Sequence, residues 1–389
     1  MDRYTRDVDI VLLRKRKKRR RQLIKFIAFM FIVGTAVMLY SKRDVWFPKL
    51  EGIGSRFQSV KSNGELAEGN FPLSISGGID YQTRNLNGYL AILSDAYLYI
   101  YNDNGELYEE RQHAYSNAML QTAGKKAMVY ESGGNRFRVE SRSKIIYSKK
   151  LEDNIIFARL SDDGRAAVIT SSETYICRLI VYDESGEEIY TRNCVERVTD
   201  LAFNEKATGC VLATADAGGG YVYSKIISVS FDSKKDNWVS EPLDTLCLKL
   251  YGGESGILVI GDTKYAYYSK GEMQKEYEYP AKLIDWDYQN GKTALLFQNE
   301  TKRLSYITTV DSENKEPNYS EFENNNAKCI RIIDGHVCVL GKDGITQYNF
   351  KGGSEKKISS EGSYEEMIYI DDYIFLLGYD RIDRIDYKS

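Results

Sequence analysis

Residues 155–190 read IIFARLSDDGRAAVITSSETYICRLIVYDESGEEIY. The stretch divides into four short runs. Residues 155–160 are followed by the turn Ser161-Asp162-Asp163-Gly164, and residues 166–170 (AAVIT) form a wholly apolar run. Residues 175–182 (YICRLIVY) lead into a second turn, Asp183-Glu184-Ser185-Gly186, and a charged run from Glu187 to Tyr190 closes the unit. Runs rich in β-branched and aromatic residues, bounded by Gly, Asp and Ser, are strands joined by tight turns. The second run shows no polar alternation, as expected of a strand covered on both faces. The fourth is charged, which suits an exposed edge.

The same plan recurs. Near residue 79 it reads Ile79-Asp80-Tyr81, the turn Asn87-Gly88, residues 89–93 (YLAIL), residues 96–101 (AYLYIY), the turn Asn102-Asp103-Asn104-Gly105, and Glu106-Leu107-Tyr108. Successive units begin near Ile79, Tyr115, Asn154, Arg197, Asp244, Ala281, Ala327 and Tyr364, at intervals of 36, 39, 43, 47, 37, 46 and 37 residues. Four short strands in about 40–45 residues is the spacing of a β-propeller blade. The last unit has three strands only. Residues 71–75 (FPLSI), just before the first unit, are a spare strand expected to supply the missing one and close the ring. The fold expected is therefore all-β, a closed β-propeller of four-stranded blades. Eight blades fit best, and seven are the alternative if one irregular unit has been split.

Upstream the composition changes. Arg14, Lys15, Arg16, Lys17, Lys18, Arg19, Arg20 and Arg21 form an unbroken basic run ahead of the apolar residues 26–40 (FIAFMFIVGTAVMLY). Counting back to Leu23, with Lys25 snorkelling, the segment is just long enough to cross ~30 Å of hydrocarbon. Alone, such a run would suggest nucleic-acid binding; beside an apolar segment it fixes orientation, the basic side staying in the cytoplasm. The division expected is a basic cytoplasmic tail (1–22), a single transmembrane helix acting as signal anchor (23–40), a Gly- and Ser-rich linker (41–70) and an extracytoplasmic propeller (71–389). The 389 residues carry a net charge of −3, but residues 1–43 hold about +10 and the remainder about −13. A mean hydropathy of −0.44 excludes a polytopic membrane protein, and 12% aromatic residues exclude a disordered chain.

The aromatic-Asp-x-x-Gly turn between third and fourth strands, here Tyr182-Asp183-Glu184-Ser185-Gly186, resembles that of quinoprotein-like and WD-repeat propellers. The layout as a whole is similar to an uncharacterised family of single-pass, membrane-anchored propeller proteins of clostridial bacteria (Firmicutes). The resemblance implies a fold and a place at the plasma membrane, and brings no activity with it.

The sequence offers little chemistry. A quinone cofactor would need a Trp in nearly every blade, and the chain has Trp46, Trp238 and Trp286 alone; no cofactor is expected. Two His, His113 and His336, do not make a His-built metal centre or a hydrolase base, and no metal is expected. Gly218-Gly219-Gly220 precedes no helix, so it reads as a loop rather than a phosphate cradle. The pairs Asp162-Asp163, Asp371-Asp372 and Asp285 with Asp287 sit at or near expected turns, where Asp serves the backbone. Cys177 and Cys194 fall nearly opposite each other in one hairpin, where a disulfide is the alternative in an oxidising exterior; all six Cys lie in apolar strands and read as buried free thiols. The densest aromatic group, Tyr265, Tyr267 and Tyr268 with Tyr277 and Tyr279, together with Trp286 between two acids, is the candidate binding surface. The function expected is a non-catalytic binding or scaffold module for an envelope protein or a cell-wall component. The alternatives are an enzyme acting on wall polymers through channel-facing carboxylates, and a sensor subunit signalling through its anchor.

Overall fold

In the computed structural model the described residues are Met30, 70–75, 81–253, 256–311, 316–323, 326–360 and 362–387. The basic run and, Met30 apart, the expected anchor lie outside them. Among the described residues no helix is long and apolar enough to cross a membrane.

Residues 70–387 form eight four-stranded antiparallel sheets, each ordered from an inner to an outer strand. The inner strands of blades 1 to 8 are Gln82–Leu86, Ala118–Ala123, Ile155–Leu160, Arg197–Phe203, Cys247–Gly253, Lys282–Gln289, Cys329–Ile333 and Glu366–Ile370. Blade 8 takes its outer strand from the other end of the sequence: Leu73–Ser74 pairs with Arg381–Asp386, Leu73 opposite Ile382. The ring closes where the Tyr81 hydroxyl donates to the Gly378 carbonyl at 2.6 Å, across 297 residues of sequence. Eight blades with mixed-terminus closure are thus what the repeat spacing implies. Closure pairs the edge that a three-stranded blade would have left open to aggregation.

The second strands are the core of each blade. Tyr89–Leu93 and Ala166–Thr170 are buried along their whole length, because a neighbouring sheet covers each face. Leu73, Leu90, Ile92, Phe375 and Ile382 form one cluster joining blades 8 and 1. At about 25 cal/mol per Å² of apolar surface, such inter-sheet layers supply most of the stabilisation. Outer strands such as Leu107–Gln112 alternate between half-buried and exposed.

Turn chemistry fixes register. Asn87 and Gly88 both have positive φ (50° and 87°), the primed turn that suits the right-handed twist of a two-residue hairpin. The aromatic-Asx-x-x-Gly turn owes its recurrence to the Asx side chain. Asp183 Oδ1 accepts the amides of Ser185 (2.9 Å) and Glu187 (2.8 Å). Asn102 and Asn349 repeat this with Asn104 and Glu106, and with Lys351 and Gly353. The Ser185 hydroxyl, donating to Asp183 Oδ1 at 2.8 Å, and then the Glu187 and Ser185 amides hold the Asp183 carboxyl below the usual range.

Candidate functional site: a charged channel and an apolar groove

The inner strands carry a sequence of charges around the ring. Apart from Arg197 and Lys282 at strand starts, these are Arg84 in blade 1, Arg159 in blade 3, Asp200 in blade 4 and Lys249 in blade 5. Asp285 and Asp287 follow in blade 6, Arg331 in blade 7 and Glu366 in blade 8. Blade 2 contributes none. Local backbone irregularity aims several of them. Register shifts fall between Val198 and Asp200, Cys247 and Lys249, and Leu283 and Asp285, so that a bulge immediately precedes each charged residue. Bulges bend a strand and redirect the side chain that follows.

Two networks result. Asp200, fully buried, receives Arg159 Nε at 2.9 Å, Lys249 Nζ at 3.2 Å and the Leu250 amide at 2.8 Å. Across the ring, Arg331 donates to Asp285 at 2.7 Å and to Glu366 at 2.9 Å, while the Ile330 amide donates to Asp285 at 2.9 Å. Asp287 accepts the Ile332 amide at 2.7 Å, and burial raises its pKa above the ordinary carboxylate value. These carboxylates are therefore latches from one blade to the amides of the next. Asp285 and Asp287, expected at a turn, lie instead within the strand Lys282–Gln289. Gln82 plays the same part between blades 1 and 2, its Oε1 accepting the Leu120 amide at 3.0 Å.

Arg84 stands apart. Its guanidinium donates to the carbonyl of the preceding residue, Thr83, at 2.7 Å, as Arg159 does to Ala158 and Arg331 to Ile330. Unlike those two, it forms no ion pair among the described residues. Burial lowers its pKa; Glu366 opposes that shift, and Arg331 and Arg159 add to it. Blades 3 and 7 do not adjoin blade 1, so their arginines bear on Arg84 only across the interior of the ring.

The aromatic cluster expected to be a binding surface is not an open face. Tyr265, Tyr267 and Tyr268 are 1%, 5% and 3% exposed, packed between sheets because two neighbouring blades cover both faces of the strand Lys264–Ser269. Tyr265 stacks on Tyr277 (5.1 Å) and Tyr279 (6.2 Å). Trp286 is half-buried; its indole donates to the Tyr251 hydroxyl at 3.1 Å, and Tyr251 stacks on Tyr288 at 4.5 Å. The free surface is elsewhere. In blade 4, Gly209–Gly218 and Tyr221–Ser230 form a ten-residue hairpin that outruns its inner strand. Its tip holds Gly219 and Gly220 at φ 61° and 90°, and neither has an atom within 4 Å of where a Cβ would stand. Tyr221 is 68% exposed and Val222 50%. Towards blade 3 the hairpin walls a groove of about 470 Å³ that includes Ile176 and Val195, themselves 53% and 65% exposed. Sequence reading missed this patch because each residue lies in a different connection. The only signal was the Gly run, which marks a reversal without revealing the length of the arms.

Cys177 and Cys194 are register partners, as their spacing implies, and all six thiols are free and buried. The Cys177 thiol donates to the Glu196 carbonyl at 3.4 Å and the Cys194 thiol to the Arg192 carbonyl at 3.7 Å.

An eight-bladed ring with a charged channel and one projecting hairpin places the chain among the β-propellers. It belongs to the DUF5711 family, a family of unknown function whose model matches residues 72–386. No sequence among the curated proteins matches it. Its fold is similar to that of BamB from Moraxella catarrhalis, at 12% identity and a TM-score of 0.58, over 84% of this chain and 98% of that one. The computationally designed protein Ika8 is similar at 11% identity and a TM-score of 0.60, over 84% and 99%. The C-terminal WD40 domain of Sif2 is similar at 10% identity and a TM-score of 0.59, over 84% and 100%.

Proposed function

We propose that the protein is a membrane-tethered, extracytoplasmic binding module that holds a protein of the cell envelope against the hairpin of blade 4. The exposed apolar residues Ile176, Val195 and Val222 that line the groove, with Tyr221 exposed next to Val222 at the hairpin tip, carry this reading. Contiguous apolar surface beside a rigid sheet is a contact site, and Tyr is a favoured anchor in protein interfaces. A protein fits better than an anionic wall polymer, since residues 44–389 carry about −13. The tether and the outward orientation are supported by residues 14–40, a basic run followed by an apolar segment. The channel carboxylates Asp200, Asp285 and Asp287 serve as inter-blade latches, which favours binding over acid–base chemistry. The test is replacement of residues 217–222 by an Asn-Gly turn in the host, which keeps Asp216 opposite Tyr223. The fold should persist while the partner is lost from the protein purified out of gently solubilised membranes. Retention of the same partner would refute the reading.

A further inference from the structure

The charges of the channel alternate in sign from blade 3 to blade 8, and the alternation fails at blade 2. Asp200, Asp285 and Glu366, in blades 4, 6 and 8, each lie within 3.2 Å of a cation on a neighbouring blade. Between Arg84 and Arg159 the intervening inner strand, Ala118–Ala123, has no acid to offer. Gln121 stands where blade 7 carries its channel charge. It follows Leu120 as Arg331 follows Ile330, and the amides of Leu120 and Ile330 are both received by a side chain of the preceding blade.

Arg84 consequently has a guanidinium with one donor used, on the Thr83 carbonyl, and its other N–H groups without a partner among the described residues. The carboxylate that acts on it electrostatically, Glu366, is already bound to Arg331. Tyr130 of blade 2, 3% exposed, acts on both Arg84 and Arg159. Arg159 is 21% exposed and Arg331 20%, so the channel wall is reached by solvent. A guanidinium fork without an ion pair, two blades from a second arginine on the same ring of inner strands, matches a carboxylate or a phosphate group, whose paired oxygens take two parallel N–H donors.

We infer that the channel binds a small oxyanion at Arg84, with Arg159 supplying further positive charge, in the place where blade 2 lacks an acid. The ligand class is a carboxylate or phosphate group on a molecule small enough to enter the channel. The site is separate from the groove at blade 4, and neither reading depends on the other.

The test is calorimetric titration of the full-length protein, in a neutral detergent, with sodium phosphate and separately with sodium acetate, against sodium chloride at matched ionic strength. Saturable heat from one of the two oxyanions and none from chloride is expected, and the anion that gives it identifies the group preferred. Arg84→Gln should weaken binding about tenfold or more, the loss typical of a charge-assisted hydrogen bond. Gln121→Glu, which restores the alternation, should abolish the heat while raising the melting temperature measured without ligand. Should Arg84→Gln fail to fold, Gln121→Glu decides alone. Absence of saturable heat from either oxyanion, or binding by the Gln121→Glu protein equal to that of the parent, would overturn the inference.

Discussion

Single side chains hold the blades in register. Asp200 shows this most clearly: it is fully buried, and it accepts from Arg159, Lys249 and the Leu250 amide. Removing one member of a buried ionic network leaves the others uncompensated. Asp200→Ala is expected to cost roughly 3–5 kcal/mol in chemical denaturation. Asp287 behaves oppositely. Its folded pKa is raised, so the folded state holds the proton more tightly than the unfolded one. Its contribution to stability is then greatest at low pH and is lost as pH rises from the ordinary carboxylate value through the folded one. Asp287→Asn should therefore remove a destabilising slope. The variant gains on the parent as pH is raised from about 4 to 7, as urea midpoints across that range would show. A parent and variant that respond alike to pH would contradict this. Asp285 and Asp287 were visible in the sequence, but their role was not, because they lie within a strand, after a bulge, and serve inter-blade contact rather than a turn, and nothing in the local pattern marks it.

At the scale of elements, strands were legible where burial is two-sided. The apolar runs 89–93 and 166–170 coincide with Tyr89–Leu93 and Ala166–Thr170. Boundaries were less so. The run 175–182 contracts to Cys177–Tyr182, and Tyr175 and Ile176 move into an exposed loop, because no partner strand covers them. The tyrosines of Lys264–Ser269 were misplaced for a related reason: composition reports aromatic density, whereas burial depends on which blade stands alongside. The closing strand Leu73–Ser74 is two residues long, and Leu73 is 7% exposed against Ile382 and Ile92. Leu73→Asp puts an unpaired charge in that cluster. It is expected to lower the melting temperature by several degrees, with roughly 3 kcal/mol lost, and to increase aggregation through the edge of Arg381–Asp386. An unchanged melting temperature would mean that the closure contributes little. The Cys177–Cys194 pair belongs to this scale as well. At 1% and 0% exposure, its thiols should react with maleimide only as fast as the protein unfolds. Immediate labelling under native conditions would show that the hairpin opens.

For the whole molecule, repeat spacing revealed the ring, its blade number and its closure, since each unit cannot bury its sheet without the next. It did not reveal a face. A face arises only when connections from different blades meet, as Ile176, Val195 and Val222 do. Partner binding is thus the claim on which the functional account rests. Its most direct measurement is ultraviolet crosslinking in intact cells of the host, from a photoreactive residue placed at position 221. The control places it at Tyr379, which is 62% exposed and belongs to blade 8, on the opposite side of the ring. One discrete protein adduct from position 221, absent from position 379 and lost when Val222 and Ile176 are changed to Ser, is the expected result. Adducts that are the same from both positions, or that survive those two substitutions, would show that the hairpin of blade 4 is not where a partner docks.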